Sequence, residues 1–184
     1  MSISTGESVD KRIRTCEAEE LGSKSFGMEI LQTVSAVYQR SPEFLGSSSG
    51  EEGDLDMDHV NTTRDNIRSL VQDVKTLEEK LFATQVDDER RALEDDITGK
   101  ILLAYWKGIC SEIEQIVEKV IRRIVNDGSI SRSEQEERSK NLQQDGMILE
   151  KATAAASDDD QSHLRRILAD AEAGISKYEL LRGS

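Results

Sequence analysis

The chain has 184 residues, with 24 Lys and Arg against 37 Asp and Glu, a formal net charge of −13 and an isoelectric point near 4.7, which excludes a phosphate-backbone binder of ordinary design. One proline, 12 glycines and 4% aromatic residues exclude a many-stranded sheet protein, which needs turn chemistry about every ten residues. The longest apolar run, Ile101 to Trp106, falls far short of the roughly 20 residues that a transmembrane helix needs.

The remaining reading is all-α, in one domain over residues 8–181. Leu, Ile, Val and Phe supply 44 of the 184 residues, above the roughly 20% below which so charged a chain stays disordered, so a lean core is expected. The first seven residues carry neither a basic nor an apolar stretch, and no secretion signal is read. Cys16 and Cys110 stand far apart at apolar positions of helical patterns and are read as reduced, buried thiols.

The first helical pattern runs from Ser8 to Glu20, with Val9, Ile13 and Cys16 four and three apart. A second begins behind Ser23 or Ser25 and carries Phe26, Ile30, Val34, Val37 and Tyr38 on one stripe. It stops before Ser41-Pro42, because proline pushes its predecessor out of the α region. Residues 46–58, with the sequence GSSSGEEGDLDMD, are too polar and glycine-rich to repay their ordering entropy and read as a flexible loop, of natural or engineered composition. Periodicity then becomes strict. Val60, Ile67, Leu70, Val74, Leu77 and Leu81 form the seam of a helix from Met57 to Ala83 that packs lengthwise on another.

After a break at Thr84 to Asp87, a pattern from Asp88 to Val125 carries Leu93, Ile97, Ile101, Leu102, Trp106, Ile109, Ile113, Ile116, Val120 and Ile124. Such a helix spans roughly 55 Å at 1.5 Å per residue. A second stripe, Leu103, Cys110, Val117 and Ile121, marks it as a central helix touched on two sides. Asn126-Asp127-Gly128 is a stop, and Ser131-Arg132-Ser133-Glu134 has capping-box spacing, so a new helix is expected at Arg132. Ser157 with Asp158, Asp159 and Asp160 reads as the cap of a last helix with the stripe Leu164, Ile167, Leu168, Ala171, Ile175 and Tyr178. The alternative is one helix running through.

Reactive constellations are weak. Asp54-x-Asp56-x-Asp58, with Asp65 at the closing place, has the outline of a calcium loop. His59 stands where the loop needs glycine, so the run reads as a solvated acidic helix start. His59 and His163 have no ligand-type neighbour at zinc spacing and read as exposed helix-start residues. Gly99 and Gly108 are read as sites of close helix packing. No nucleophile stands beside a His, and the acidic runs read as wet helix faces. No catalytic residue, cofactor or metal is therefore expected. Lys107, Lys119, Arg122 and Arg123 form the best basic cluster and offer an alternative function as contacts to anionic lipid.

Two segments carry more than pattern: Leu21-Gly22-Ser23-Lys24-Ser25-Phe26-Gly27-Met28-Glu29-Ile30-Leu31, continuing to Val37-Tyr38, and Gly99-Lys100-Ile101-Leu102-Leu103-Ala104-Tyr105-Trp106-Lys107-Gly108, continuing to Glu114. With Val125-Asn126-Asp127 following, they resemble the signature segments of the DnaJ-X domain, the C-terminal helical region of a fungal and plant class of J-domain co-chaperones. The resemblance covers residues 10–155. It implies a module for client binding, oligomerisation or targeting, in a protein that passes unfolded or membrane-protein clients to a DnaK-type chaperone. That chaperone would be reached through a J-domain, whose His-Pro-Asp tripeptide is not among these residues, since Pro42 follows Ser41. The chain alone is thus not expected to stimulate an ATPase. The glycine and serine run after Gly46 departs from the longer, more apolar connection of the family.

Together these readings give an elongated antiparallel helical bundle with long coiled-coil-like helices, working as a non-enzymatic interaction module. Ile67, Leu70, Val74, Leu77 and Leu81 are its expected dimer or packing seam, and a homodimer is expected. Tyr105 and Trp106 are read as core or as client anchors. No nucleic-acid partner is expected. The expected location is the cytoplasm, including the cytosolic face of a membrane.

Overall fold

A computed structural model of the chain describes residues 14–22, 26–46, 57–155 and 163–183. All regular structure among them is helical: α1 over 14–22, α2 (Gly27–Gln39), a 3-10 helix (Ser41–Phe44), α3 (Met57–Ala83), α4 (Asp87–Val125), α5 (Arg132–Ala155), α6 (His163–Glu172) and α7 (Lys177–Arg182). The expected bounds of α3, α4 and the start of α5 hold within a residue. Three expectations need correction here. The last helix is two, because Gly174 takes φ +70 between α6 and α7, a left-handed value that ends a helix; the junction before α6 lies outside the described residues. The expected loop at 46–58 ends early, since Met57 and Asp58 are already in α3, while 47–56 lie outside the described residues. Cys16 is exposed and Cys110 only half-buried. Helix α1 buries Ala18 and Gly22 instead, one turn apart on the side away from Cys16.

The chain divides into two compact units, Met1–Leu55 with Glu112–Ser157 and Asp56–Ser111 with Asp158–Ser184, and α4 contributes to both. In the first unit, Val37, Phe44, Ile121 and Val125 form one buried cluster, joined by half-buried Val117 and Leu142. Ala18, Leu31 and Ala152 form another. Helices α2 and α5 approach so closely that a Cβ added to Gly146 would lie 3.0 Å from the Ser35 carbonyl oxygen and 3.0 Å from Tyr38 Cβ. Two buried hydroxyls cross this contact: Ser35 Oγ donates to the Gly146 carbonyl and Ser41 Oγ to the Ser139 carbonyl, each at 2.8 Å. Asn126 ties the chain after α4 to the 3-10 helix, its Nδ2 donating to the Phe44 carbonyl at 2.8 Å and its Oδ1 accepting from Gly46 N at 2.8 Å. The capping box forms as spaced. Ser131 N donates to Glu134 Oε2 at 2.8 Å, and Glu134 N donates back to Ser131 Oγ at 3.3 Å.

In the second unit α3 and α4 run antiparallel. Leu77, Ala92, Leu93 and Tyr178 make the buried cluster, with Leu81 and Ile97 against it. A Lys100–Asp73 ion pair of 2.9 Å bridges the same two helices. Arg90 closes the open end of α3 by donating to the carbonyls of Leu81 (3.3 Å) and Thr84 (3.2 Å). Helix α6 lies on Gly99, where a Cβ would meet the Ile167 carbonyl oxygen at 2.9 Å. Asp96 caps α7, accepting from Ser176 Oγ at 2.6 Å, Lys177 N at 2.9 Å and Tyr178 N at 3.2 Å.

Candidate interaction surfaces

Within the first unit, α4 turns Val117, Ile121 and Val125 toward the core, each a full turn from the next. Ile116, Val120 and Ile124 each stand one residue earlier, about 100° around the helix, and are 63%, 51% and 38% exposed. Glu112, Lys119 and Arg123 are exposed on the same side. Within the second unit, α4 buries Leu103 but leaves Ile101 51% and Tyr105 71% exposed. The second stripe is buried at Leu103 and Ile121 and half-buried at Cys110 and Val117, while the first is buried at Leu93 and exposed at Ile101, Ile116, Val120 and Ile124. Part of the wider apolar face therefore meets water, because two adjacent stripes are wider than one neighbouring face can cover. Phe82, Val86, Leu180 and Leu181 are exposed too, but apolar residues scattered singly are ordinary.

Two concavities accompany these faces. A groove of about 280 Å³ in the first unit is walled by Ala18, Leu21, Leu31, Tyr38 and Ile148, with the Arg14–Asp145 ion pair at its rim. A cleft of about 270 Å³ in the second unit is lined by both apolar and charged side chains. Several of the charged ones are engaged, Asp73 with Lys100, Asp95 with Lys177 at 2.9 Å, and Asp96 with the start of α7, and Lys80, Asp170 and Glu179 complete the wall.

The seam residues divide. Leu77 is buried against α4, whereas Ile67, Leu70, Val74 and Leu81 are half-buried. Tyr105 is exposed and Trp106 is half-buried. Of the basic cluster, Arg122 is engaged: it bridges Glu118 at 2.7 Å and stacks on the Phe44 ring at 4.5 Å. Lys107 lies half-buried in the second unit, while Lys119 and Arg123 are exposed in the first. Asp58, His59 and Asp65 are exposed on α3; Asp54, Asp56 and the His163 side chain lie outside the described residues. Among the described residues no three His, Cys, Asp or Glu side chains cluster as metal ligands. Gly99 is packed tightly as expected, but Gly108 is not, its nearest neighbour being Ile67 Cδ1 at 4.0 Å from an added Cβ.

The family model described as the X-domain of DnaJ-containing proteins matches residues 10–168. The chain belongs to the DnaJ-X family. It is thereby a member of a DnaJ-type co-chaperone family, and two relatives in Schizosaccharomyces pombe are J domain-containing proteins, both uncharacterised. One is 32% identical over 125 residues, covering 60% of this chain and 32% of the relative. The other is 31% identical over 132 residues, covering 62% and 36%. DnaJ-like protein 1 of Saccharomyces cerevisiae is 26% identical over 143 residues, covering 63% and 33%. The match thus spans about a third of each relative. No solved structure matches the chain.

The two signature segments of the DnaJ-X domain have visible steric roles. In the Ser-Phe-Gly core, Phe26 takes φ 60 ahead of α2, and a Cβ on Gly27 would overlap the Leu21 carbonyl. In the second segment, Gly99 admits α6. The outward residues Ile116, Val120 and Ile124 lie beyond both segments. Their periodicity is legible in the sequence, their exposure is not.

Proposed function

We propose that this DnaJ-X domain is the interaction module of a J-domain co-chaperone working with a DnaK-type chaperone, and that it holds apolar segments of unfolded clients against the outward faces of α4. One observation carries the reading: Ile101, Tyr105, Ile116, Val120 and Ile124 expose large apolar side chains on a helix whose other side buries Leu103, Ile121 and Val125. Water-exposed apolar surface of this kind gains roughly 25 cal/mol for each Å² a client covers. No reactive group is required. In the whole co-chaperone, Ile116→Ser with Val120→Ser, and separately Ile101→Ser with Tyr105→Ser, are expected to weaken protection of a heat-unfolded reporter enzyme from aggregation, followed by light scattering. Full protection by both double variants, with helicity unchanged, would refute the reading.

A further inference from the structure

We propose that the outward face of α4 in the first unit, formed by Ile116, Val120 and Ile124 beside Lys119 and Arg123, takes an amphipathic helix whose apolar stripe is flanked by carboxylates. The proposal rests on the interaction reading above and names the chemistry of the partner.

Charge decides the occupant. Acids outnumber bases 37 to 24 in this chain, and several cations of the first unit are engaged by them, Arg14 by Asp145, Arg122 by Glu118 and Arg138 by Asp127, while exposed Lys140 and Lys151 lie on α5, away from any apolar stripe of α4. Lys119 and Arg123 are exposed, and among the described residues neither has a carboxylate partner. The sequence itself denies them one. Residues three or four positions from Lys119 are Gln115, Ile116, Arg122 and Arg123, and those around Arg123 are Lys119, Val120, Asn126 and Asp127. Asp127, the one acid among them, is taken by Ser129 and Arg138. The two cations therefore stand one turn apart along the edge of an apolar stripe, and the one exposed acid on that side, Glu112, lies about two turns before Lys119, one turn ahead of the stripe.

Geometry sets the size of the occupant. From Ile116 to Ile124 the stripe rises about 12 Å, little more than two helical turns. Three side chains fall far short of the roughly 20 to 30 residues a side that a stable interface between folded proteins uses. A single helix with apolar residues at matching i, i+4 and i+8 positions covers the stripe and brings its flanking positions over Lys119 and Arg123. A second copy of the chain fits worse. A two-fold contact centred here would set Lys119 and Arg123 against their own counterparts, between two bodies that each carry −13.

The test uses the 184-residue chain and two synthetic helical peptides that share a leucine stripe at i, i+4 and i+8, one flanked by glutamates and the other by lysines, with binding read by fluorescence anisotropy. The glutamate peptide is expected to bind about tenfold more tightly at low salt, with the preference shrinking as salt rises, since exposed pairs contribute little each but set partner choice. Lys119→Glu with Arg123→Glu, both exposed and tolerable to the fold, should reverse the preference, with helicity checked by circular dichroism. Equal affinities, or binding of neither peptide, would overturn the proposal. Flotation with phosphatidylserine-containing vesicles in the absence of any peptide preference would overturn it in favour of a membrane. If the glutamate preference is missing while Ile116→Ser with Val120→Ser still weakens client protection, the acidic partner fails and the client surface stands.

Discussion

The two units are closed by different kinds of contact. In the second, α3, α4 and α7 meet through large side chains, with Leu77, Leu93 and Tyr178 buried together and Leu93 wholly inaccessible. In the first, the fully buried positions of α5 are small, Ser139, Gly146 and Ala152 alongside Thr153, with Leu142 and Leu149 half-buried at the edges of its clusters. There the helices come close enough for the hydroxyls of Ser35 and Ser41 to reach backbone carbonyls across the contact. One interface gains from apolar volume, the other from proximity, with dispersion between backbones and hydrogen bonds satisfied within the contact. The same chain can therefore hold one helix by a strict apolar seam and another with hardly any seam.

The contrast predicts opposite responses to changes in size. Deleting volume should hurt the second unit most. Leu93→Ala leaves a cavity among Leu77, Ala92 and Tyr178 and should cost about 3 kcal/mol in urea unfolding; a loss below about 1 kcal/mol would mean the site collapses freely and the cluster does not close the unit. Adding volume should hurt the first. Gly146→Val drives methyl groups into the Ser35 carbonyl and Tyr38 Cβ and should cost about 2 kcal/mol or more. Gly128→Val is the control, since nothing lies within 4 Å of an added Cβ there. Equal costs at the two glycines would break the comparison.

Legibility in the sequence follows the same division. Leu77, Leu81, Leu93 and Ile97 advertise α3 and α4 because burial of large aliphatic groups imposes a period that can be counted. The capping box at Ser131 and Glu134 was readable because its partners lie three residues apart. Gly146, Ser139 and Ser35 gave no such signal, since a close helix contact demands an absence of side chain and small polar residues are equally common on wet surfaces. The break at Gly174 was hidden because the apolar spacing from Leu164 to Tyr178 stays in helical register across it. Asp96 as the cap of α7 joins residues 81 positions apart at Lys177 N, beyond any local rule. For the candidate surface, sequence supplied Lys119 and Arg123 and set Arg122 apart through Glu118 four residues before it, but the stacking of Arg122 on Phe44, which arrives from another element, left no trace in the sequence.

A finer test concerns the hydroxyls of the first unit. Ser35→Ala removes the donor to the Gly146 carbonyl inside the α2–α5 contact and should cost about 1 kcal/mol. Ser139→Ala should be neutral within about 0.5 kcal/mol or stabilising, because Ser139 Oγ is buried with no partner among the described residues. Equal losses in the two variants would show that hydroxyl burial itself, and not the bond across the contact, holds α5.

The smallest effect expected is electrostatic, at the exposed start of α5. Hydrogen bonds from the Ser131 hydroxyl and backbone N–H hold the Glu134 carboxyl below its ordinary value of 4.5, and those from Ser129 lower Asp127 likewise. A carboxylate whose folded value is depressed stabilises the fold fully above its unfolded value and loses that contribution as pH falls through the folded one. Stability should accordingly be level near neutrality and decline once pH drops below about 4.5. Glu134→Gln keeps an acceptor for Ser131 but cannot titrate, so its unfolding midpoint should fall less than that of the parent chain between neutral and acid pH. Asp127, lowered from a lower ordinary value of 3.8, titrates further down the acid range and remains in both proteins, so the diagnostic is the difference between the two curves. Parallel curves would show that the Ser131 bonds to Glu134 do not distinguish the charged carboxylate from a neutral amide.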